Sequence, residues 1–195
     1  MAIKISLKNT ERILFCSSKW WGDPDMPDTM QYPTVNDYPL TFICQINCED
    51  IAPYDTEKLL PQEGMLYFFG AIDELIGYES MIPSPKGEWE KGNLVVKYTK
   101  TINFETFQSC MLMDEDGQSV TENELEMTFA SCAEDADGFK VLGTPADEKV
   151  RMAYPDCKNL LQICFDEDTT LNIIIKESDL KYGNWKKAKA FLQSK

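Results

Sequence analysis

Histidine is absent from all 195 residues. That removes the side chain most used for proton transfer near neutral pH and the commonest zinc ligand. Serine or cysteine nucleophiles activated by histidine are thereby excluded. A cysteine-only zinc site would need paired Cys-x-x-Cys spacing, and Cys44 with Cys48 makes half a site at most. Phosphate-cradling loops of the Gly-x-Gly-x-x-Gly or Gly-Lys-Ser/Thr kind are missing, so nucleotide binding has no support. There is no apolar run of eighteen or more residues, the length a spanning helix requires. The first residues, Met1 to Lys8, are broken by Lys4 and Lys8 and lack the features of a secretory signal. No catalytic set, cofactor, metal or membrane contact is therefore expected, and a cytoplasmic location is.

Positive charge is also scarce. Nineteen basic residues face 33 acidic ones, a net charge of −14. Nucleic acid is a poor partner for such a surface, because each phosphate contact needs a cation. A basic protein is a good one, since the acidic field would draw it in and speed encounter. The charge is uneven: residues 176–195 hold six lysines against Glu177 and Asp179, a balance of +4, which leaves −18 on residues 1–175. The seven cysteines are odd in number and mostly lie among apolar residues, which fits reduced core thiols in a reducing compartment.

No Gly/Ser- or Pro-rich linker divides the chain, and its length suits one domain over residues 1–195 that buries roughly 70% of its unfolded surface. Within it one pattern occurs twice. Lys19-Trp20-Trp21-Gly22-Asp23-Pro24 and Lys140-Val141-Leu142-Gly143-Thr144-Pro145 share Lys, two apolar residues, Gly, any residue and Pro, at an offset of 121. Each is followed by an apolar segment carrying Gln-Ile (Phe42 to Ile46; Leu160 to Cys164), an acidic stretch, and a second apolar run (Met65 to Phe69; Leu171 to Ile175). The runs read as strands covered on both faces. Residues 93–98 and 124–129 read as further strands, and Asp114-Glu115-Asp116-Gly117 as a hairpin turn. Short helices are expected near 55–60 and 73–78, while 178–192 fits helix or strand. The fold class expected is α+β and β-rich, with two pseudo-symmetric degenerate half-repeats, about 18–76 and 139–180, packed as one domain.

At these residues the chain resembles the YwqG-like family of uncharacterised bacterial proteins. The resemblance rests on Ser18-Lys19 through Gly22, Pro24 and Pro27; Pro39-Leu40 through Gln45-Ile46; Gly64-Met65-Leu66-Tyr67-Phe68-Phe69; Val96-Lys97-Tyr98; and Leu160 to Ile163. It covers about residues 17–193 and implies a pseudo-symmetric α+β fold, with no activity attached. Trp21 departs from it, since a second Gly often stands there, and so does the shortened loop Cys164 to Thr170.

Four groups of residues invite a site. Asp114-x-Asp116-Gly117 and Asp135-x-Asp137-Gly138 resemble the middle of a calcium loop, but both lack its first carboxylate and its bidentate Glu, so tight turns are preferred. Glu49, Asp50, Asp73 and Glu74 lie near strand ends, where paired carboxylates could do acid/base work, though in so acidic a chain a solvated surface explains them. Gln45 and Gln162 are expected to satisfy buried backbone groups. The oddest feature is Trp20-Trp21 followed by Asp23, Asp25 and Asp28. Aromatic anchors ringed by carboxylates are what a docking basic surface requires, against the plainer reading of core packing. The function expected is a non-enzymatic protein-binding module, with an immunity-type inhibitor of a basic toxin as its concrete form. The alternative is a carboxylate-based enzyme or small-ligand protein with its site between the two halves.

Overall fold

The computed structural model describes every residue except Asp114, Glu115, Ala146 and Lys195. Asp114 and Glu115 of the expected hairpin turn thus lie outside the described residues; Met113 and Ser119, on either side, form an isolated antiparallel bridge.

In chain order the first strands are β1 (Ala2–Lys8), β2 (Lys19–Trp20), β3 (Asp25–Pro27), β4 (Thr34–Val35), β5 (Tyr38–Pro39) and β6 (Thr41–Asn47), which leads into helix α1 (Cys48–Ile51). Next come β7 (Met65–Gly70), a 3-10 helix at Asp73–Ile76, β8 (Gly87–Glu88), β9 (Leu94–Thr99), β10 (Phe107–Ser109) and β11 (Leu125–Cys132). The rest is β12 (Lys140–Leu142), α2 (Glu148–Ala153), β13 (Cys157–Cys164), β14 (Thr169–Lys176), α3 (Glu177–Lys181), a 3-10 helix at Trp185–Lys187 and β15 (Lys189–Ser194). The protein is β-rich with few helices.

One antiparallel sheet of 11 strands, ordered β8-β15-β14-β13-β12-β1-β11-β2-β6-β7-β9, carries the fold and curls like half a barrel. Its inner strands β6, β7, β13 and β14 are buried along nearly their whole length, as continuous apolar runs require. The central strand is β1, where Ala2, Ile3 and Ile5 are buried while Lys4 and Ser6 face out, the alternation of a strand with one covered face. It pairs with β11 over seven residues and with β12 over three. Near the opposite ends of the sheet, the 3-10 helix at Trp185–Lys187 packs on β9, with the rings of Tyr98 and Trp185 6.0 Å apart.

Two cross-strand rows deserve comparison. Lys19 lies opposite Gln45, which lies opposite Tyr67; Lys140 lies opposite Gln162, which lies opposite Asn172. Residues directly opposite one another share a face, so each lysine stands beside its glutamine. Both lysines are buried, at 3% and 0% exposure.

Local expectations differ from the structure at three places. Residues 55–60 are a turn, because the buried Asp55 carboxylate accepts the backbone N–H groups of Leu59 and Leu60 at 3.1 and 2.7 Å, an alternative to helical bonding; the helix forms earlier, at Cys48–Ile51. Residues 178–192 divide: α3 and a 3-10 helix occupy the first part, and β15 the last, with Ala190 and Leu192 buried in alternation with the exposed Lys189 and half-buried Phe191. Of the cysteines, Cys16, Cys44 and Cys48 are core, whereas Cys110, Cys132, Cys157 and Cys164 are half-buried; all seven are free thiols.

Candidate functional site

The segment after Lys19-Trp20 turns sharply. Trp21 and Gly22 both adopt left-handed backbone, at φ 61° and 76°. A side chain there costs roughly 1–2 kcal/mol, a strain that Trp21 carries and Gly22 avoids. Leu142 and Gly143 repeat the same pair of angles at 62° and 74°, so the strain belongs to the turn rather than to a site. The turn is what sends the chain from β2 to β3 and splits the two tryptophans. Trp20 goes into the core at 2% exposure, edge-on to Phe139 at 5.1 Å, while Trp21 stays half-buried, edge-on to Trp20 at 5.2 Å.

The aspartates are split in the same way. Asp25, on β3, is fully buried. Its carboxylate pairs with Lys19 Nζ at 2.9 Å and accepts the backbone N–H of Cys16 at 2.9 Å, Gln45 Nε2 at 2.8 Å and Ser109 Oγ at 2.6 Å. Gln45 Oε1 in turn accepts the Asp25 N–H, and the Tyr67 hydroxyl donates to the Asp25 carbonyl, both at 2.8 Å. Asp25 and Trp20 are therefore not available to a partner, and the expected cluster does not form one surface. Asp28 is exposed, and Asp23 is half-buried with its carboxyl raised, chiefly by burial, against the opposing hydrogen bond from Thr121 at 3.3 Å and the charge of Lys19. Gln45 thus satisfies a buried backbone group, the Asp25 N–H, and both glutamines also bond part-buried ones: Gln45 Nε2 donates to the Ser17 carbonyl and Gln162 Nε2 to that of Gly138, each at 2.9 Å.

Beside Trp21 the structure opens a groove of about 480 Å³. Trp21, Tyr32, Phe42 and Tyr78 give it aromatic walls; Asp73, Glu79 and Glu122 give it three carboxylates; no lysine or arginine is among its lining residues. Tyr32 is fixed by donating to the Leu40 carbonyl at 2.9 Å and by an edge-on contact with Phe69 at 5.2 Å. Burial pushes its hydroxyl pKa up, so it stays a neutral wall. Asp73 opens the 3-10 helix after β7 and is held by the hydroxyls of Thr41 and Ser80, the latter at 3.0 Å. Glu122, on the facing loop, accepts the Tyr78 hydroxyl, which raises the tyrosine pKa. Glu79 is exposed and makes no hydrogen bond or ion pair among the described residues.

Carboxylates held by hydroxyl donors beside aromatic rings form a receptor for a cation: the carboxylates take charge-assisted hydrogen bonds and the ring faces take the cation's flat or methylene part. Of the residues singled out by sequence, Trp21 and Asp73 are brought together here, with Asp23 at the edge through Thr121. Glu49, Asp50 and Glu74 do not line the groove. Tyr32, Tyr78, Glu79 and Glu122 had escaped sequence reasoning; the one signal for them was Tyr78-Glu79 just after the left-handed Gly77, a mark of an exposed turn next to a buried strand. Among the described residues no group of three Cys, Asp or Glu side chains is placed to hold a metal ion, and no helix is long and apolar enough to cross a membrane.

A curled β-rich sheet with an acidic, aromatic groove on its first strands is thus the class of protein that the geometry defines. The chain belongs to the family described as a domain of unknown function (DUF1963), whose model matches residues 18–155. Every residue lining the groove falls inside that span. No curated protein matches the chain.

Proposed function

We propose that this protein is a non-enzymatic binding module whose groove receives an arginine or lysine side chain of a basic protein, and that it acts as an immunity-type inhibitor of a basic toxin. The observation that carries the reading is the groove itself, with three carboxylates and four aromatic rings and no cation in its lining. The surrounding charge of −14 supports it by steering a basic partner toward that face. A partner side chain would meet Trp21 and Tyr78 as ring faces and Glu79 and Glu122 as acceptors at the mouth. A carboxylate enzyme with its site between two halves is favoured less, because this groove is lined only by residues 21–122.

The strand order on either side of the β1–β11 pair, and the matched Lys19–Gln45 and Lys140–Gln162 positions, support reading the sheet as two degenerate half-repeats in one domain. The ordered motifs favour the YwqG-like branch of the family. Seven free thiols favour a cytoplasmic location. Affinity capture from the native cell tests the functional reading. Basic proteins should be recovered by the wild-type chain and lost with Glu79→Gln/Glu122→Gln; recovery of only acidic partners, or the same partners with both chains, contradicts it.

A further inference from the structure

The 3-10 helix that packs on β9 creates a second hollow, of about 690 Å³. Its apolar surface includes Met30, Tyr98 and Trp185, and its charged groups are Lys97, Lys186 and Lys187, with no carboxylate in the lining. In a chain with 33 acidic residues against 19 basic ones, three lysines grouped without an acid mark a local reversal of field. The neighbouring lysines are neutralised: Lys181 pairs with Glu177 at 2.6 Å and Lys189 with Glu88 at 2.7 Å. Lys186 and Lys187 are exposed and have no ion pair among the described residues. Lys97 is half-buried and donates to the Gln31 carbonyl, which uses one of an ammonium group's three donors. Trp185 is held by its contact with Tyr98, and Gly183, at φ 66°, makes the left-handed turn that leads into it.

We propose that this hollow is a binding site for a small amphiphilic anion, an aromatic or alkyl body carrying a single carboxylate, sulfonate or phosphate. The body stacks on Trp185 and Tyr98, and the acid is taken by the three lysines. Range decides between a small anion and an acidic protein. At physiological salt a charge is felt over about 8 Å, so one acid group inside the hollow is governed by its immediate surroundings: three ammonium groups in the lining, against the Asp179 carboxylate one hydrogen bond behind it, on Asn184 at 3.1 Å. An extended acidic partner would also meet the surface that carries −18 over residues 1–175. The volume is within the usual range of roughly 300–1,000 Å³ for small-molecule sites.

The test is fluorescence titration of the intact protein with anilinonaphthalene sulfonate, an aromatic anion, and with uncharged N-phenylnaphthylamine, in 0.15 M salt. The native chain should bind the sulfonate saturably at one site. K186E/K187E should weaken it about tenfold, the change that four units of charge make at about 6 Å in screened water, and leave the neutral probe's affinity within about twofold. Should that variant lose its β-sheet circular dichroism, K186Q/K187Q, expected to weaken the sulfonate about threefold, replaces it. Absence of saturable sulfonate binding by the native chain, sulfonate affinity unchanged by the folded variant, or equal loss of both probes would overturn the proposal.

Discussion

Replacing Asp25 by alanine separates a core role from a docking role for the acidic tryptophan loop. The carboxylate is fully buried and serves four donors: Lys19 Nζ, Gln45 Nε2, Ser109 Oγ and the Cys16 N–H. Breaking a buried ion pair by removing one partner costs about 3–5 kcal/mol. Each donor left without an acceptor adds about 1–3 kcal/mol where water cannot reach it. Glu124 limits the damage by still holding Lys19 at 3.2 Å, and Gln45 Nε2 keeps the Ser17 carbonyl, so the cost falls mainly on the Ser109 hydroxyl and the Cys16 N–H. The net loss should therefore lie near about 4 kcal/mol, a large share of the roughly 5–15 kcal/mol that stabilises a domain. Urea unfolding at unchanged slope, with a drop in Tm of roughly 8–16 °C, is the expected readout. Asp28→Ala, at an exposed position, should stay within about 0.5 kcal/mol. A loss below about 1 kcal/mol for Asp25→Ala would refute the hub.

Trp21→Gly should destabilise by about 1–2 kcal/mol, because relief of left-handed strain, about 1–2 kcal/mol, offsets the lost edge-on contact, about 0.5–1.5 kcal/mol, but not the apolar burial of the half-buried indole. The same variant should weaken an arginine-rich peptide severalfold by calorimetry, and unaltered affinity would remove Trp21 from the site. Gly64→Ala should destabilise by at least about 2 kcal/mol in urea, since an added Cβ would fall 2.2 Å from the Thr99 carbonyl at φ 86°. An aromatic disulfide reagent at neutral pH should label at most the four half-buried cysteines until the chain unfolds. Burial pushes the thiols of Cys16 and Cys48 up to about 11 and about 12. Being raised in the folded state, they contribute stability that is complete below the ordinary thiol pKa and lost as pH rises from there toward about 11 and about 12, which pH-dependent urea melts would detect.

The inner strands were legible because β6, β7, β13 and β14 are apolar runs, and burial on both faces leaves only that pattern. The β1 strand carries an equally clear alternation through Ile3 and Ile5, but its central place depends on pairing with β11, more than a hundred residues away. The turn at 55–60 and the divided segment 178–192 were set by single residues acting against local periodicity, the Asp55 carboxylate and the left-handed backbone of Gly183. Asp25 and Asp28 are indistinguishable in sequence. Their fates diverge because β3 places Asp25 inward against Lys19 and Gln45. The groove was legible only at Trp21 and Asp73, because its walls come from loops spread over residues 21–122 and meet only once the sheet has curled.

The central claim is that the groove, and not the acidic surface at large, receives a basic side chain. Calorimetry of an arginine-rich peptide against wild type, against Asp73→Asn/Glu79→Gln/Glu122→Gln, and against Glu11→Gln/Glu105→Gln/Asp168→Asn tests it in 0.15 M salt. Both triple variants lower the net charge from −14 to −11, so any general attraction falls equally. The account predicts about tenfold or greater loss for the groove variant and less than about twofold for the charge-matched one. Equal loss from both variants, or none from either, would contradict it.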